Sequence, residues 1–291
     1  MVTATSQRDG WIGLGFGPST APSDPRRYVQ LVSTRPAVAL DLPAYRSQHL
    51  KRSPLVLVAA QANFEEVGQL SHGQARNVQK KLDDKQWTTL QPATQVQFAL
   101  TPSGPIQATQ QAYRVQTSDG NWTLSLNPDS VTLETTSYAG WDDFLERFSA
   151  IAAAVTEVFD PSQCLRLGLR YIDQIPLPDG KDSWEGLIND FVRGLVDAPT
   201  FGSSILGADQ RHLLQLAGGA RCMFHQGLLA DEHSQLASNT YLLDYDVFIE
   251  TPRPYDPTDI ATQAATLHDH VGALFRASIE DELFSWLKGD E

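Results

Sequence analysis

The sequence predicts an α+β protein: two similar halves, each running strand, helix, antiparallel strands and long helix, joined in one pseudo-symmetric two-layer unit. Three observations predict it. Apolar residues recur at spacings of three and four over 140–159 and 258–286, which marks long amphipathic helices. They alternate with period two over 165–175, which marks a strand with one buried face. Hairpin-type turns join most of the remaining strands, and helices fall between blocks of hairpins, an order that favours helices packed on an antiparallel sheet.

Residues 1–52 form a basic arm rich in Gly, Pro, Ser and Thr, with at most a short strand at 28–32. The run of glycines at 13, 15 and 17 superficially resembles a phosphate-cradling loop. Such a loop needs a strand before it and a helix after it, and Pro18 follows instead, so the arm reads as a surface-clasping segment.

The first half spans 53–160. A buried strand is expected at 55–64 and a helix at 73–87 carrying Ala75, Val78 and Leu82 inward. Strands follow at 96–100, 110–117 and 121–126, the last two joined through Ser118, Asp119 and Gly120, and another at 131–135. The helix over 140–159 then buries Trp141, Phe144, Phe148, Ile151, Val155 and Phe159, with Asp142 and Asp143 at the positive end of its dipole.

The second half spans 161–291. The strand at 165–175 puts Leu165, Leu167, Leu169 and Tyr171 on one face and Arg166, Gly168, Arg170 and Ile172 on the other. A helix is expected from Ser183, with Asp182 as N-cap and Leu187, Ile188, Phe191, Val192 and Leu195 along one face. Strands at 211–216, 220–228 and 240–250 follow, with Gly218 and Gly219 turning the first hairpin and an acidic loop around Asp231 and Glu232 in the second connection. Asp256 and Pro257 open a last helix over 258–286.

Charge divides the chain unevenly. Arg8, Arg26, Arg27, Arg35, Arg46, Lys51 and Arg52 outnumber Asp9, Asp24 and Asp41 in the arm, so the net charge of −13 becomes −17 for the body. A body this acidic repels nucleic-acid phosphates over most of its surface and attracts basic partners. Cys164 and Cys222 make no disulfide framework, the N-terminus carries no signal-peptide pattern and no apolar run reaches membrane-spanning length, so a cytoplasmic location with no membrane association is expected.

The chemistry-bearing residues form no recognisable catalytic constellation. His268 and His270 are two apart on a helix and point to opposite sides, and Cys222 and His225 fall on opposite strand faces, so no metal site is expected. Asp244 and Asp246 share a strand face, where a solvated acidic surface is the simpler reading than a divalent-ion site. No cofactor fingerprint is present in the body. Arg166 and Arg170, with Gly168 between them, and Arg211 and Arg221 on the adjoining hairpin are the candidate anion- or partner-binding residues. Guanidinium groups clustered on a sheet face suit carboxylate or phosphate recognition, and pairing with the protein's own surplus carboxylates is the favoured reading.

The stretch Leu167-Gly-Leu-Arg-Tyr-Ile-Asp-Gln-Ile175, preceded by Tyr138-Ala-Gly-Trp-Asp-Asp-Phe144, resembles a sporadically distributed family of biochemically uncharacterised bacterial proteins. The resemblance extends through Pro54-Leu-Val-Leu-Val58, Trp122 to Leu126 and Leu267-His268 to Leu283, covering roughly residues 53 to 288. It implies no catalytic residue. The expectation is a non-catalytic interaction or regulatory protein with a protein partner, and the scattered distribution implies a defence or toxin-antitoxin type system. The alternative is a nucleotide- or nucleic-acid-binding protein using the arginine-bearing sheet face.

Overall fold

The computed structural model describes residues 38–43, 48–82, 86–101, 104–229 and 239–289. The expected strand at 28–32, the glycine run at 13–17 and the acidic loop at Asp231 and Glu232 lie outside the described residues. The chain divides into two compact units. The smaller comprises residues 1–36 and 96–108, of which 96–101 and 104–108 are described, as extended strand. The larger, 37–95 and 109–291, carries the rest of the fold, apart from the portions of two strands that fall within 96–108.

The fold is mixed α and β. Its strands are β1 (Leu55–Phe64), β2 (Trp87–Thr101), β3 (Gly104–Thr117), β4 (Trp122–Asn127), β5 (Ser130–Thr135), β6 (Gln163–Pro176), β7 (Gln210–Gln215), β8 (Arg221–Leu228), β9 (Thr240–Ile249) and β10 (Arg253–Pro254). Its helices are α1 (His72–Lys81), α2 (Trp141–Phe159), α3 (Asp190–Arg193), α4 (Pro257–Ser278) and α5 (Asp281–Lys288). Among the described residues all ten strands join one sheet in the order β2-β3-β4-β5-β1-β6-β9-β8-β7, with β10 beside β6.

The central pair is β1 and β6, antiparallel from Leu55 opposite Asp173 to Phe64 opposite Cys164. Strand alternation sends Leu167, Leu169, Tyr171 and Ile175 to the buried face. There they meet α2, which buries Phe144, Phe148, Ile151 and Val155, and α4, which buries Ile260, Ala264, Leu267, Val271 and Leu274. Trp141, expected in the core, is half-buried at the rim. Helix α2 stops where Asp160 turns left-handed ahead of Pro161, and α4 starts where the Asp256 carboxylate accepts from the amides of Thr258 and Asp259, each at 2.8 Å.

Several expected boundaries shift, each for a visible reason. A reciprocal Ser71 and Gln74 capping box starts α1, and the helix ends at Lys81 rather than 87, because Trp87 already belongs to β2 and its carbonyl accepts from Gln79 Nε2 at 2.6 Å. The strands expected at 96–100 and 110–117 are pieces of the longer β2 and β3. Helix from Ser183 does not form. Asp182 caps nothing; the Asp197 carboxylate instead accepts from Ser183 Oγ and the Trp184 amide, and Gly186 turns to φ +75°.

One contact then breaks two expected helices. Ile188 forms an antiparallel bridge with Ile279, secured by Glu280 N donating to Leu187 O at 2.8 Å and Asn189 N to Ser278 O at 3.0 Å. Both segments must be extended to make it, so only the four-residue α3 survives near 190 and the 258–286 helix divides into α4 and α5. Leu187, Ile188 and Val192 are buried as expected, but Phe191 and Leu195 are exposed.

Part of the segment assigned to the arm is woven into the larger unit. Leu40 bridges Leu216 in parallel, Leu42 and Leu50 pack against the core, and Arg52 Nη1 donates to Trp286 O at 2.6 Å at the end of α5.

Candidate functional site

The sheet face turned away from Leu167 and Leu169 carries Arg166 and Arg170, and the structure gathers Arg211 and Arg221 from β7 and β8 along the same side. Register does this: Arg170 lies opposite Asp246 and Ile172 opposite Asp244 on β9, while on β8 Met223 lies opposite Asp246 and His225 opposite Asp244. Each candidate arginine meets a carboxylate. Arg170 grips Asp244 through Nε at 2.8 Å and Nη2 at 2.7 Å, a bidentate pair. Arg166 Nη2 reaches both oxygens of Asp246, at 3.1 and 3.0 Å, and its guanidinium sits 4.5 Å over the Phe248 ring. Arg221 bonds Glu250, and Arg211 lies 3.4 Å from Asp209. His225 bridges the two groups, 3.2 Å from Asp209 and 3.5 Å from Asp244.

The two acids of β9 differ in their electrostatics although they are neighbours. Burial raises the pKa of Asp244, but hydrogen bonds from Arg170 and His225 outweigh it and hold the carboxyl below the usual range. At Asp246 burial outweighs the attraction of Arg166, and the pKa is raised. Arg166 and Arg170 therefore bear on carboxylates that lack much water of their own, with only 6% of the Asp244 side chain exposed.

On the opposite face, a cleft of about 330 Å³ opens between the start of α2, the middle of α4 and the segment 48–55. Tyr171 and Asp173 rise into it from β6, Tyr138 and Trp141 from the entrance to α2, and His268 and Phe275 from α4. The Tyr171 hydroxyl lies 3.2 Å from that of Tyr138 and 3.0 Å from His268 Nδ1. The Trp141 and His268 rings stack, with centroids 4.2 Å apart and planes 2° from parallel. Burial depresses His268 to a pKa of about 4, so the imidazole is neutral at pH 7 and works as a flat, hydrogen-bonding wall.

Asp173 stands apart in this cleft. It is 6% exposed, and no hydrogen bond or ion pair reaches its carboxyl among the described residues. Burial, reinforced by the negative charge of Asp244, pushes its pKa to about 8. The cysteines offer no competing nucleophile: Cys164 and Cys222 are free and buried, and burial raises both thiols, Cys164 to about 11. Among the described residues no group of three or more His, Cys, Asp and Glu side chains could hold a metal ion.

No family model and no curated protein matches the chain. The site therefore rests on its own geometry. Sequence reasoning placed Trp141 and Tyr171 in the core and weighed His268 only as a metal ligand, and it passed over Asp173. One signal was available: Asp173 keeps the parity of Leu167, Leu169 and Tyr171, which puts a carboxyl on the apolar face of the strand.

Proposed function

We propose that the chain is a non-catalytic interaction protein that meets a protein partner at the β7 end of its sheet. The observation that carries this reading is the exposure of Phe191, Leu195, Phe201, Leu206 and Leu213, at 76%, 59%, 55%, 49% and 53%, all between residues 191 and 213. Large apolar side chains concentrated in one stretch mark contact surfaces more often than scattered ones do. The stretch leads into β7, the last strand in the sheet order, whose C-terminal end accepts a backbone hydrogen bond from Leu40 at the carbonyl of Gln215. An edge strand beside exposed apolar groups suits addition of a partner's extended segment. The net charge of −13 favours a partner with a basic rim around its apolar contact.

The finer reading of two related halves has support in the strand order. β5 flanks β1 as β9 flanks β6, and each of these four strands is antiparallel to its neighbour, an order that fits a related arrangement of the two blocks about the β1 and β6 pair. The sporadic distribution of the bacterial family that the sequence resembles supports a role in a defence or toxin-antitoxin type system. Two free cysteines are consistent with the cytoplasm as its place, and no helix among the described residues is long and apolar enough to cross a membrane.

The test compares the parent chain with the Phe191→Asp, Leu195→Asp variant, both tagged in a bacterial host encoding the protein. The parent is expected to co-purify with a defined partner that the variant loses, while the two melt together, since the altered side chains are exposed. A partner retained by the variant would overturn the surface. Light scattering identifies self-association as the competing outcome. Salt-sensitive oligonucleotide binding by the parent, lost in the Arg166→Glu, Arg170→Glu variant with melting unchanged, would move the protein to the nucleic-acid-binding class.

A further inference from the structure

The cleft holds an uncompensated acid in aromatic surroundings. Asp173 is almost wholly buried and lines the cleft, yet its carboxyl has no hydrogen-bond or ionic partner among the described residues. A carboxyl that opens onto the cleft and has no hydrogen-bonding partner among the described residues is available to a group that arrives from outside. The local potential decides its sign. Asp244 on the far side of the sheet raises the Asp173 pKa by its negative charge, and an ionised Asp173 adds a negative charge of its own. A cation gains from that field and an anion is repelled. The walls agree, because Trp141, Tyr138, Tyr171 and Phe275 present aromatic rings, which bind the apolar body of a ligand and attract a positive charge at their faces.

We propose that this cleft binds a small organic ammonium ion, its charge meeting the Asp173 carboxylate and its apolar body lying among Trp141, Tyr138 and Phe275. A volume of about 330 Å³ suits a ligand of on the order of ten non-hydrogen atoms. Binding couples to a proton. Free Asp173 is largely protonated at pH 7, and an arriving ammonium stabilises the carboxylate, so binding near neutrality releases the proton to solvent. The other titratable groups that line the cleft are His268 from α4, Tyr171 from β6, Tyr138 from the entrance to α2 and His49 from the segment at the cleft mouth, and Tyr245 and Asp244 on β9 interact electrostatically with the carboxyl. His268 is neutral throughout this range and supplies no competing charge.

The experiment is titration calorimetry of the full chain with butylammonium and 2-phenylethylammonium, near pH 7 and near pH 9, in buffers of different ionisation enthalpy. The larger ion is expected to bind more tightly, with release of nearly one proton near pH 7 and little near pH 9. The neutral isostere 2-phenylethanol and the Asp173→Asn variant should each bind about tenfold more weakly or worse. Trp141→Leu should weaken binding and keep the proton release. Carboxyl-carbon NMR of the parent, which needs no variant to fold, should show the Asp173 signal moving from its protonated to its ionised position as the ammonium ion is added. A silent carboxyl signal, no heat from either ammonium ion, or equal binding of the alcohol would each overturn the proposal.

Discussion

At the scale of single residues, two carboxylates on adjacent strands show how environment sets the stability that a charge confers. Asp244 is held ionised by Arg170, so Arg170→Ala strands a side chain that is 6% exposed and should destabilise the protein by about 3–5 kcal/mol, read from denaturant midpoints. Asp173 works in the opposite sense. Its folded pKa of about 8 lies above the value near 4 of an unfolded aspartate, so the folded state keeps a proton that the unfolded chain has lost, and stability falls as pH rises through that window. Asparagine cannot ionise. Asp173→Asn should therefore match the parent near pH 4 and exceed it by about 2–5 kcal/mol above pH 8. Urea midpoints for both proteins at several pH values check this, and a gap independent of pH would mean that the carboxyl titrates normally. The shared faces of Arg166 and Arg170 and of Asp244 and Asp246 were legible from strand parity in the sequence, but not that β9 lies beside β6, nor the loneliness of Asp173, which depends on what three separate segments fail to bring near it.

At the scale of elements, residues 140–159 and 183–195 look alike in sequence and fold differently. Both carry apolar residues at helical spacing. Helix α2 is nineteen residues long, with aromatic residues and a run of alanines to hold it against the sheet, and it forms as its period predicts. In the second stretch a bridge to Ile279 claims Ile188, and a left-handed Gly186 precedes it, so tertiary pairing overrides a weak local preference. The consequence is measurable with two like truncations. Phe148→Ala opens a cavity under α2 and should cost about 3–5 kcal/mol, whereas Phe191→Ala, at a side chain 76% exposed, should stay within about 0.5 kcal/mol of the parent. Equal losses in chemical denaturation would mean that Phe191 is covered in solution.

At the scale of the whole molecule, the order of elements was readable but their assembly into one sheet was not, since sequence patterns mark strands and turns without saying which distant strands pair. The join is β1 with β6. Nine paired positions tie a strand of the first half to a strand of the second, and α2 packs on α4 across the same line, so one apolar cluster runs from Val58 and Phe148 through Leu169 to Leu267 and Tyr245. Cutting there would expose β1 and β6 as edge strands and uncover one flank of each long helix. Neither half can then unfold while the other persists, and the larger unit should melt in one transition whose calorimetric and van't Hoff enthalpies agree. The sharper test separates the halves. Fragments 53–160 and 161–291, expressed apart, should each lack a cooperative transition and recover a common one on mixing, because each supplies the sheet edge and helix face that the other is missing. A fragment that melts cooperatively on its own would show that the β1 and β6 pairing is a contact between independent domains instead of the centre of one core.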